Sequence, residues 1–323
     1  MKALNIIYIT TMATTIMCKI RRNRLIDHES AKILSIRQTI IKRALKNHCD
    51  QQLIDDIMNQ RRSDYSDEAL IEDFMSYEQP PVKVKRDEHY LKALATTARL
   101  FNPGKTLKPI HFPDLRYYPA TLSTSACAPW THRASTRDIL KEKQRDGLIS
   151  DGRVSYHNLY NEIFVLNRLL IHQIKEGHHP HWDDQGKPVP YEFTTVFSRS
   201  HVVGPEEPDK IRAVFGVPKL LLHAELHFIW PLTERYLNEH VISPMLWGFE
   251  TFKGGWRKLL AEVSRLGIKY STALGVDWKQ FDKRALHEVI DDVHAIWRSW
   301  FDFSNGYVPT STYPNSITKP ERI

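Results

Sequence analysis

The segment from Thr272 to Arg284 predicts the local fold that constrains this chain most: a buried strand, a tight turn and the start of a long helix. Residues 272–276 are apolar or small, as in a core strand. Beyond Asp282, apolar residues recur at helical spacing as far as Trp300. On one continuous helix, Asp277 and Asp282 would point about 140° apart. Only a turn between them therefore lets both carboxylates face one pocket.

A pocket with two carboxylates at a strand end suits nucleotidyl transfer. In that reaction, carboxylates hold two metal ions about 3.5–4 Å apart, which clamp the attacking and leaving oxygens. Magnesium prefers such hard oxygen ligands. Asp277 is therefore the candidate metal ligand, and Asp282 could reach a ribose hydroxyl. Two structural roles stay open, namely Asp282 as the N-cap of the following helix and Asp277 as an ordinary strand-end residue.

Composition indicates a folded chain with a moderate net positive charge. The 323 residues suffice for about two domains, and a 41% hydrophobic content suffices for a packed core. A formal charge of +7 and a pI near 9.1 are compatible with a polyanionic partner. The three cysteines form no C-x-x-C pair, which argues against a cysteine zinc site and suits a reducing compartment. Residues 1–20 predict an N-terminal element, with a membrane segment as the alternative.

The first hundred residues predict a helical scaffold without recognisable chemistry. Apolar spacing predicts helices over residues 33–45, from a cap at Asp50 to residue 57, over 68–77 and over 88–100. Further along the chain, helices are predicted from a cap at Ser135 or Thr136 to Gly147, and over residues 155–176. Four prolines between residues 105 and 130 exclude a long helix there.

Two loops carry candidate ligand groups. The small-residue loop from Thr121 to Trp130 lets another backbone approach closely, and its hydroxyls and amides could contact phosphates. Residues 177–184 bring together three histidines and two aspartates. Their spacing matches no known zinc pattern, so a solvated loop is favoured over a metal site.

A basic strand follows a predicted strand over residues 191–198. In the segment that starts at Lys210, side chains alternate between the two faces of the strand. Lys210 and Arg212 share one face, and the opposite face is apolar (Ile211, Ala213 and Phe215). Such a pair suits triphosphate binding, because arginine forks onto phosphate and lysine adds a point charge. An exposed face that is basic by chance is the alternative. Helices are then predicted over residues 219–238, with Pro231 as a kink, and over 257–266.

The order of these segments resembles the RNA-dependent RNA polymerases of the partitiviruses, the small double-stranded RNA viruses of plants and fungi. Residues 277–282 resemble motif A of that family, residues 210–219 resemble motif F, and residues 124–130 resemble motif G. Cys127 stands where a glycine is expected. The resemblance extends from about Tyr117 to Trp300.

The resemblance implies an α+β fold of the right-hand polymerase type, with a mostly helical N-terminal and fingers region and an incomplete palm. Residues 1–115 would form a helical N-terminal extension. Residues 116–217 would form fingers with motifs G and F, and residues 218–323 would begin the palm with motif A.

The resemblance also implies roles for individual residues. Asp277 would ligate Mg²⁺, with Mn²⁺ as the alternative, and Asp282 would test for the 2′-hydroxyl by which proteins tell RNA from DNA. The incoming triphosphate would be bound by Lys210, Arg212 and Lys219. The RNA template would be contacted by Thr124, Ser125 and Pro129.

One departure from the family pattern concerns the rest of the palm. The sequence contains neither a Gly-Asp-Asp hairpin nor a Ser-Gly loop. We therefore expect an N-terminal portion of a longer polymerase, inactive alone. Its expected partners are RNA, nucleoside triphosphates and a viral capsid protein, without a membrane. Its expected location is the virion interior and the host cytoplasm.

Two other functions stay open. A non-enzymatic RNA-binding remnant of an integrated viral polymerase would use the basic strand and loop without catalysis. A reverse transcriptase fits less well, because those enzymes usually carry a bulky aromatic residue near the ribose, where this chain offers Asp282.

Overall fold

The computed structural model describes residues 28–78, 82–177, 184–186, 193–238, 245, 250–267, 272 and 274–309. The chain divides into two compact units. Unit 1 falls within residues 1–80 and 197–214, and unit 2 falls within residues 81–196 and 215–323. The predicted domains over residues 1–115, 116–217 and 218–323 stay a prediction.

Unit 1 combines short helices with two-stranded pairing. Its helices are α1 (His28–Leu45), α2 (Gln51–Met58) and α3 (Asp67–Met75). Asp50 caps α2 as predicted, since its Oδ1 accepts a hydrogen bond from the Leu53 amide at 2.8 Å. The short strands β1 (Arg61–Arg62) and β3 (Val202–Val203) pair antiparallel. The second two-stranded sheet pairs β2 (Thr195–Ser200) with β4 (Ile211–Gly216).

Unit 2 is mainly helical. Its helices are α4 (Glu88–Leu100), α5 (Ala134–Arg145), α6 (Tyr160–Lys175), α7 (Lys219–Asn238), α8 (Gly255–Gly267), α9 (Phe281–Arg284) and α10 (His287–Ser299). Two 3₁₀-helices cover Phe112–Tyr117 and Thr251–Lys253. Helix α7 packs against α6 and against the first 3₁₀-helix. Their apolar side chains form one core cluster (Ile110, Phe112, Leu115, Phe164, Ile171, Leu220 and Leu226).

The C-terminal part of the described chain is tied to the loop after α4. The Leu107 amide donates to the Trp300 carbonyl, and the Asp302 amide donates to the Leu107 carbonyl, both at 2.8 Å. A second core cluster of Leu107, Leu232, Trp300 and Phe301 lies at this junction. None of the helices in the described ranges is long and apolar enough to cross a membrane.

The predicted buried strand over residues 272–276 is wrong for the described residues of that segment. Residues 272 and 274–278 form no strand, and Leu274 and Val276 are 89% and 69% exposed. A strand must pair its backbone N–H and C=O groups with a neighbouring strand. The described residues include no strand paired with this segment.

The long helix predicted after Asp282 is divided. Ala285 and Leu286 are extended, with ψ of 124° and 133°, so α9 ends at Arg284 and α10 begins at His287. The N-cap role considered for Asp282 is also wrong. Gln280 occupies the cap position with φ of 56°, and Asp282 lies inside the first turn of α9.

Other boundaries differ from the predicted ones by a few residues. The predicted caps Ser135 and Thr136 lie within the first turn of α5, whose N-cap is Arg133 without a side-chain hydrogen bond. Phe215 was expected on a buried face, but this residue near the end of β4 is 38% exposed. Residues 1–20, and residues 178–183 of the histidine-rich loop, lie outside the described residues.

Candidate functional site

The loop from Thr121 to Trp130 is anchored by three small buried side chains. Ala126, Cys127 and Ala128 are 0%, 4% and 2% exposed. Cys127 has φ of 59°, in the left-handed region that glycine adopts at no steric cost. This conformation accounts for the expectation of a glycine at that position.

Hydrogen bonds hold the exposed half of this loop against the residues that precede α6. The Tyr156 amide donates to the Thr124 carbonyl at 2.8 Å, and the His157 amide donates to the Leu122 carbonyl at 2.9 Å. The Ser125 hydroxyl accepts from the Cys127 amide at 3.1 Å. Ser125 therefore stabilises the loop from within, whereas Thr124 is exposed to solvent. Pro129 is half-buried.

Two predicted site residues meet at this loop. Lys219 begins α7, and its Nζ lies 3.5 Å from Thr124 Oγ1. The same ammonium group lies 4.9 Å from the centre of the Tyr156 ring, which is within cation–π range. An ammonium beside a hydroxyl on a backbone-anchored loop is suited to contact a phosphate.

A buried polar network lies beneath Lys219. The Tyr156 hydroxyl lies 2.8 Å from His223 Nε2, and the Asn167 amide nitrogen lies 3.1 Å from His223 Nδ1. Burial, and to a lesser degree the charge of Lys219, lowers the pKa of His223 to about 4. Burial also raises the pKa of Tyr156. The network is therefore uncharged at neutral pH and holds Tyr156 in place below the ammonium. No local sequence pattern predicts this network, because Tyr156 and His223 are 67 residues apart.

The basic strand of unit 1 has the predicted alternation of buried apolar and exposed charged side chains. Ile211 and Ala213 are 5% and 7% exposed, whereas Lys210 and Arg212 point to solvent. Two side chains of the same unit fix the strand. The Ser63 hydroxyl accepts from the Lys210 amide and Asp73 Oδ2 accepts from the Ala213 amide, both at 2.8 Å.

A further cation, Arg199, acts on the same histidine as the two predicted cations. The pKa of His201 is lowered by burial and then by the positive charges of Arg212, Arg199 and Lys210. Arg199 therefore lies in the same field as the two predicted cations. We call Arg199, Lys210 and Arg212 the basic patch. Arg199 was missed because it lies on β2, and sequence periodicity does not report which residues of paired strands are neighbours.

Asp277 and Asp282 are both exposed in unit 2. Within the described ranges, no group of three or more His, Cys, Asp or Glu side chains could hold a metal ion. The described residues by themselves therefore do not complete a magnesium site. The roles of Asp277 and Asp282 stay predictions.

Comparison with known proteins shows that the chain is similar in sequence to viral polymerases. It is similar over most of its length to proteins named RNA-directed RNA polymerase, which confirms the resemblance inferred from the motifs. It is 26% identical over 286 residues to the polymerase of White clover cryptic virus 1, and that alignment covers 79% of this chain. It is 24% identical over 285 residues to the polymerase of Atkinsonella hypoxylon virus, covering 82% of this chain.

The chain spans less than half the length of these relatives, since the alignments cover 46% and 40% of the two viral proteins. No protein-family model matches the chain. No solved structure matches it either. The observed mixture of helices with small sheets is compatible with the predicted α+β class.

Proposed function

We propose that the chain forms part of a viral RNA-directed RNA polymerase, which adds nucleotides from triphosphates to an RNA 3′ end along an RNA template. The observation that carries this proposal is the similarity to two viral proteins of that name through most of the chain. The template would be the viral double-stranded RNA genome during replication and transcription. Packaging with a capsid protein, in the virion interior and host cytoplasm, belongs to the same proposal.

The contacts of Lys219 support a role in binding RNA or the triphosphate. Its ammonium is exposed enough to meet a phosphate, and two neighbours limit where it points: the Thr124 hydroxyl at 3.5 Å and the Tyr156 ring at 4.9 Å. In unit 1, the basic patch supplies three further cations for phosphate contacts. Each such contact releases a counterion from the nucleic acid and makes binding weaken as salt increases.

RNA binding by the purified chain tests this part of the proposal. We expect Lys219→Met to weaken binding of single-stranded RNA several-fold and to reduce the slope of log affinity against log salt by about 0.7. Lys141→Met is the matched control, because Lys141 is a 79% exposed lysine paired only loosely with Asp138 at 3.8 Å. Equal salt slopes for the two variants would contradict the proposed phosphate contact.

The catalytic part of the proposal concerns Asp277 and Asp282. We retain Asp277 as the proposed ligand of Mg²⁺ or Mn²⁺ and Asp282 as the proposed contact to the ribose, within a two-metal reaction. The 323 residues contain no Gly-Asp-Asp, and the described ones hold too few grouped carboxylates to complete the site. Primer extension by the chain alone, with either ion, is therefore expected to show no incorporation. Detectable incorporation would overturn this expectation.

A second candidate function is RNA binding without catalysis. It is favoured by the exposed basic patch together with the lack of a metal-binding group among the described residues. Sequencing the coding RNA downstream of the codon for Ile323 separates the two functions. A Ser-Gly loop followed by Gly-Asp-Asp would favour the polymerase, and a stop codon would favour the RNA-binding protein.

A further inference from the structure

A cavity of about 340 Å³ lies between the first 3₁₀-helix and α6 in unit 2. Its size falls in the range of small-molecule sites. None of the residues assigned to the polymerase site lines it, so it is a second candidate site in this unit. The lining residues are Pro113, Asp114, Arg116, Tyr117, Phe164, Val165 and Arg168.

The Arg116 guanidinium is held in place by two neighbours. It lies 4.2 Å from the centre of the Phe164 ring, and its Nη1 donates to Asn161 Oδ1 at 3.2 Å. A planar guanidinium that is already oriented loses little conformational entropy when it binds a phosphate. Arg116 is exposed to solvent, so a ligand can reach it.

Arg168 supplies a second cation at the same cavity. It lies on α6 and is exposed to solvent. Asp114 also lines the cavity but is only 6% exposed, so a ligand meets the two arginines before the carboxylate. Two accessible guanidiniums at one cavity suit the oxygens of a phosphate, which each can bind in a bidentate manner.

Tyr117 adds an aromatic surface beside the two cations. The residue is 75% exposed, which is unusual for one with so large an apolar ring. Exposed aromatic rings next to cations are typical of surfaces on which the bases of single-stranded nucleic acids stack. An acidic peptide would satisfy the arginines but would leave this ring without a partner.

A row of aromatic rings connects the cavity to the Lys219 contact. The Lys219 ammonium lies 4.9 Å from the centre of the Tyr156 ring, and the Tyr156 and Tyr160 ring centres are 5.4 Å apart. Tyr160 in turn stacks on Phe164, at the wall of the cavity, with the ring centres 6.0 Å apart. Single-strand sites in OB-fold proteins cover about 4–16 nucleotides, so one strand is long enough to contact both places.

We propose that this cavity binds one nucleotide of the same single-stranded RNA that contacts Lys219. The base stacks on Tyr117, and Arg116 and Arg168 bind its phosphate. Stacking is tolerant of sequence because every base has a flat face, so the cavity accepts any of the four nucleotides. This contact, which rests on the proposed RNA binding, extends the RNA-binding surface from α7 to α6.

The affinity of the purified chain for a labelled single-stranded RNA, measured by fluorescence anisotropy at several salt concentrations, tests the stacking. We expect Tyr117→Ala to weaken binding by about 10-fold. The slope of log affinity against log salt should stay unchanged, because the ring carries no charge. Tyr117→Phe is the matched variant, since it keeps the ring, and it should bind RNA as the wild-type chain does.

The same titrations test the phosphate contact through Arg168→Gln. We expect this variant to weaken binding several-fold and to reduce the salt slope by about 0.7, because one contact between a cation and a phosphate is lost. Arg145→Gln is the control, since Arg145 is 73% exposed on α5 and is already paired with Asp146 at 3.0 Å. Tyr117 and Arg168 are both exposed, so the variants should fold, which equal melting temperatures would verify.

The possible failures of this experiment are distinguishable. Wild-type RNA affinity in Tyr117→Ala, with binding still weakened by Lys219→Met, would overturn the role of the cavity and leave the proposed RNA binding intact. No RNA binding by the wild-type chain would overturn both. Poly-glutamate tests for an acidic protein as the ligand. If it binds the wild-type chain more tightly than Arg168→Gln, while Tyr117→Ala keeps wild-type RNA affinity, the cavity binds an acidic polypeptide and the proposal is wrong.

Discussion

The hydroxyl of Tyr156 lies 2.8 Å from His223 Nε2 in the core of unit 2. With the Asn167 amide nitrogen facing Nδ1, a neutral His223 carries its proton on Nε2 and donates it to the Tyr156 oxygen. The Tyr156 ring lies 4.9 Å from the Lys219 ammonium, and the Tyr156 amide donates to the Thr124 carbonyl. One tyrosine thus joins the buried core to the proposed phosphate contact.

Removing the Tyr156 hydroxyl tests whether its hydrogen bond with His223 stabilises the fold. We expect Tyr156→Phe to lower the free energy of unfolding by about 1–3 kcal/mol, because the His223 N–H is left buried without an acceptor. Urea denaturation measures the change. RNA binding should be retained, since the ring beneath Lys219 stays. Tyr118→Phe is the control, because no hydrogen bond of the half-buried Tyr118 hydroxyl is found in the described part of the chain.

Stability is expected to fall as the pH drops from 6.5 to about 4. Burial lowers the pKa of His223 to about 4 and that of His227 to about 3. In this window the unfolded chain binds more protons than the folded chain, so acid favours unfolding. His223 alone accounts for about 3 kcal/mol. Urea denaturation at several pH values measures the slope of the free energy of unfolding against pH. This slope should be shallower in His223→Gln. An unchanged slope in that variant would contradict the assignment.

Stability is expected to rise between pH 8 and pH 10 because of Lys175. Burial lowers the pKa of this lysine to about 8, although its ammonium contacts the Tyr307 hydroxyl and lies 4.9 Å from that ring. The folded chain loses the proton first, so raising the pH removes the cost of the buried charge.

Partial exposure to solvent reduces the expected gain from Lys175 to about 1–2 kcal/mol. Above pH 10 the raised pKa of Tyr307 acts in the opposite direction, which limits the window. Thermal unfolding at pH 8 and pH 9.5 measures the gain. Lys175→Met should be more stable at pH 7.5 and should show no rise, and a wild-type rise in that variant would refute the mechanism.

Asp292 on α10 should matter more for stability than its neighbour Asp291. Tyr90 donates to Asp292 Oδ2 at 2.6 Å, and Arg86 pairs with the same carboxylate at 3.0 Å. The Tyr90 hydrogen bond, followed by Arg86, lowers the pKa of Asp292. We expect Asp292→Asn to lower the melting temperature by a few degrees. Asp291→Asn, at an exposed position, is expected to change it little. Equal changes would show that the anchoring contacts contribute nothing.

Elements with strong local signals were predictable from the sequence. Helix α7 begins and ends at the predicted residues, and the alternation of buried Ile211 and Ala213 with exposed Arg212 in β4 is confirmed. The cap at Asp50 is confirmed for the same reason, since a helix cap depends on residues within one turn.

Features that depend on distant residues were not predictable. An apolar run such as residues 272–276 has strand character only when another strand pairs with it, and no periodicity supplies that partner. The Tyr156–His223 contact joins two segments that are 67 residues apart in sequence. Only the fold shows that they meet.

The stretch around Asp277 has a practical consequence for work on the isolated chain. Leu274, Val276, Trp278 and Phe281 are each more than 60% exposed within eight residues. So many exposed apolar side chains in a short segment form a hydrophobic surface that promotes aggregation of the isolated chain. The apparent molecular mass from light scattering should rise with protein concentration. Replacing Trp278 with a polar residue should delay precipitation.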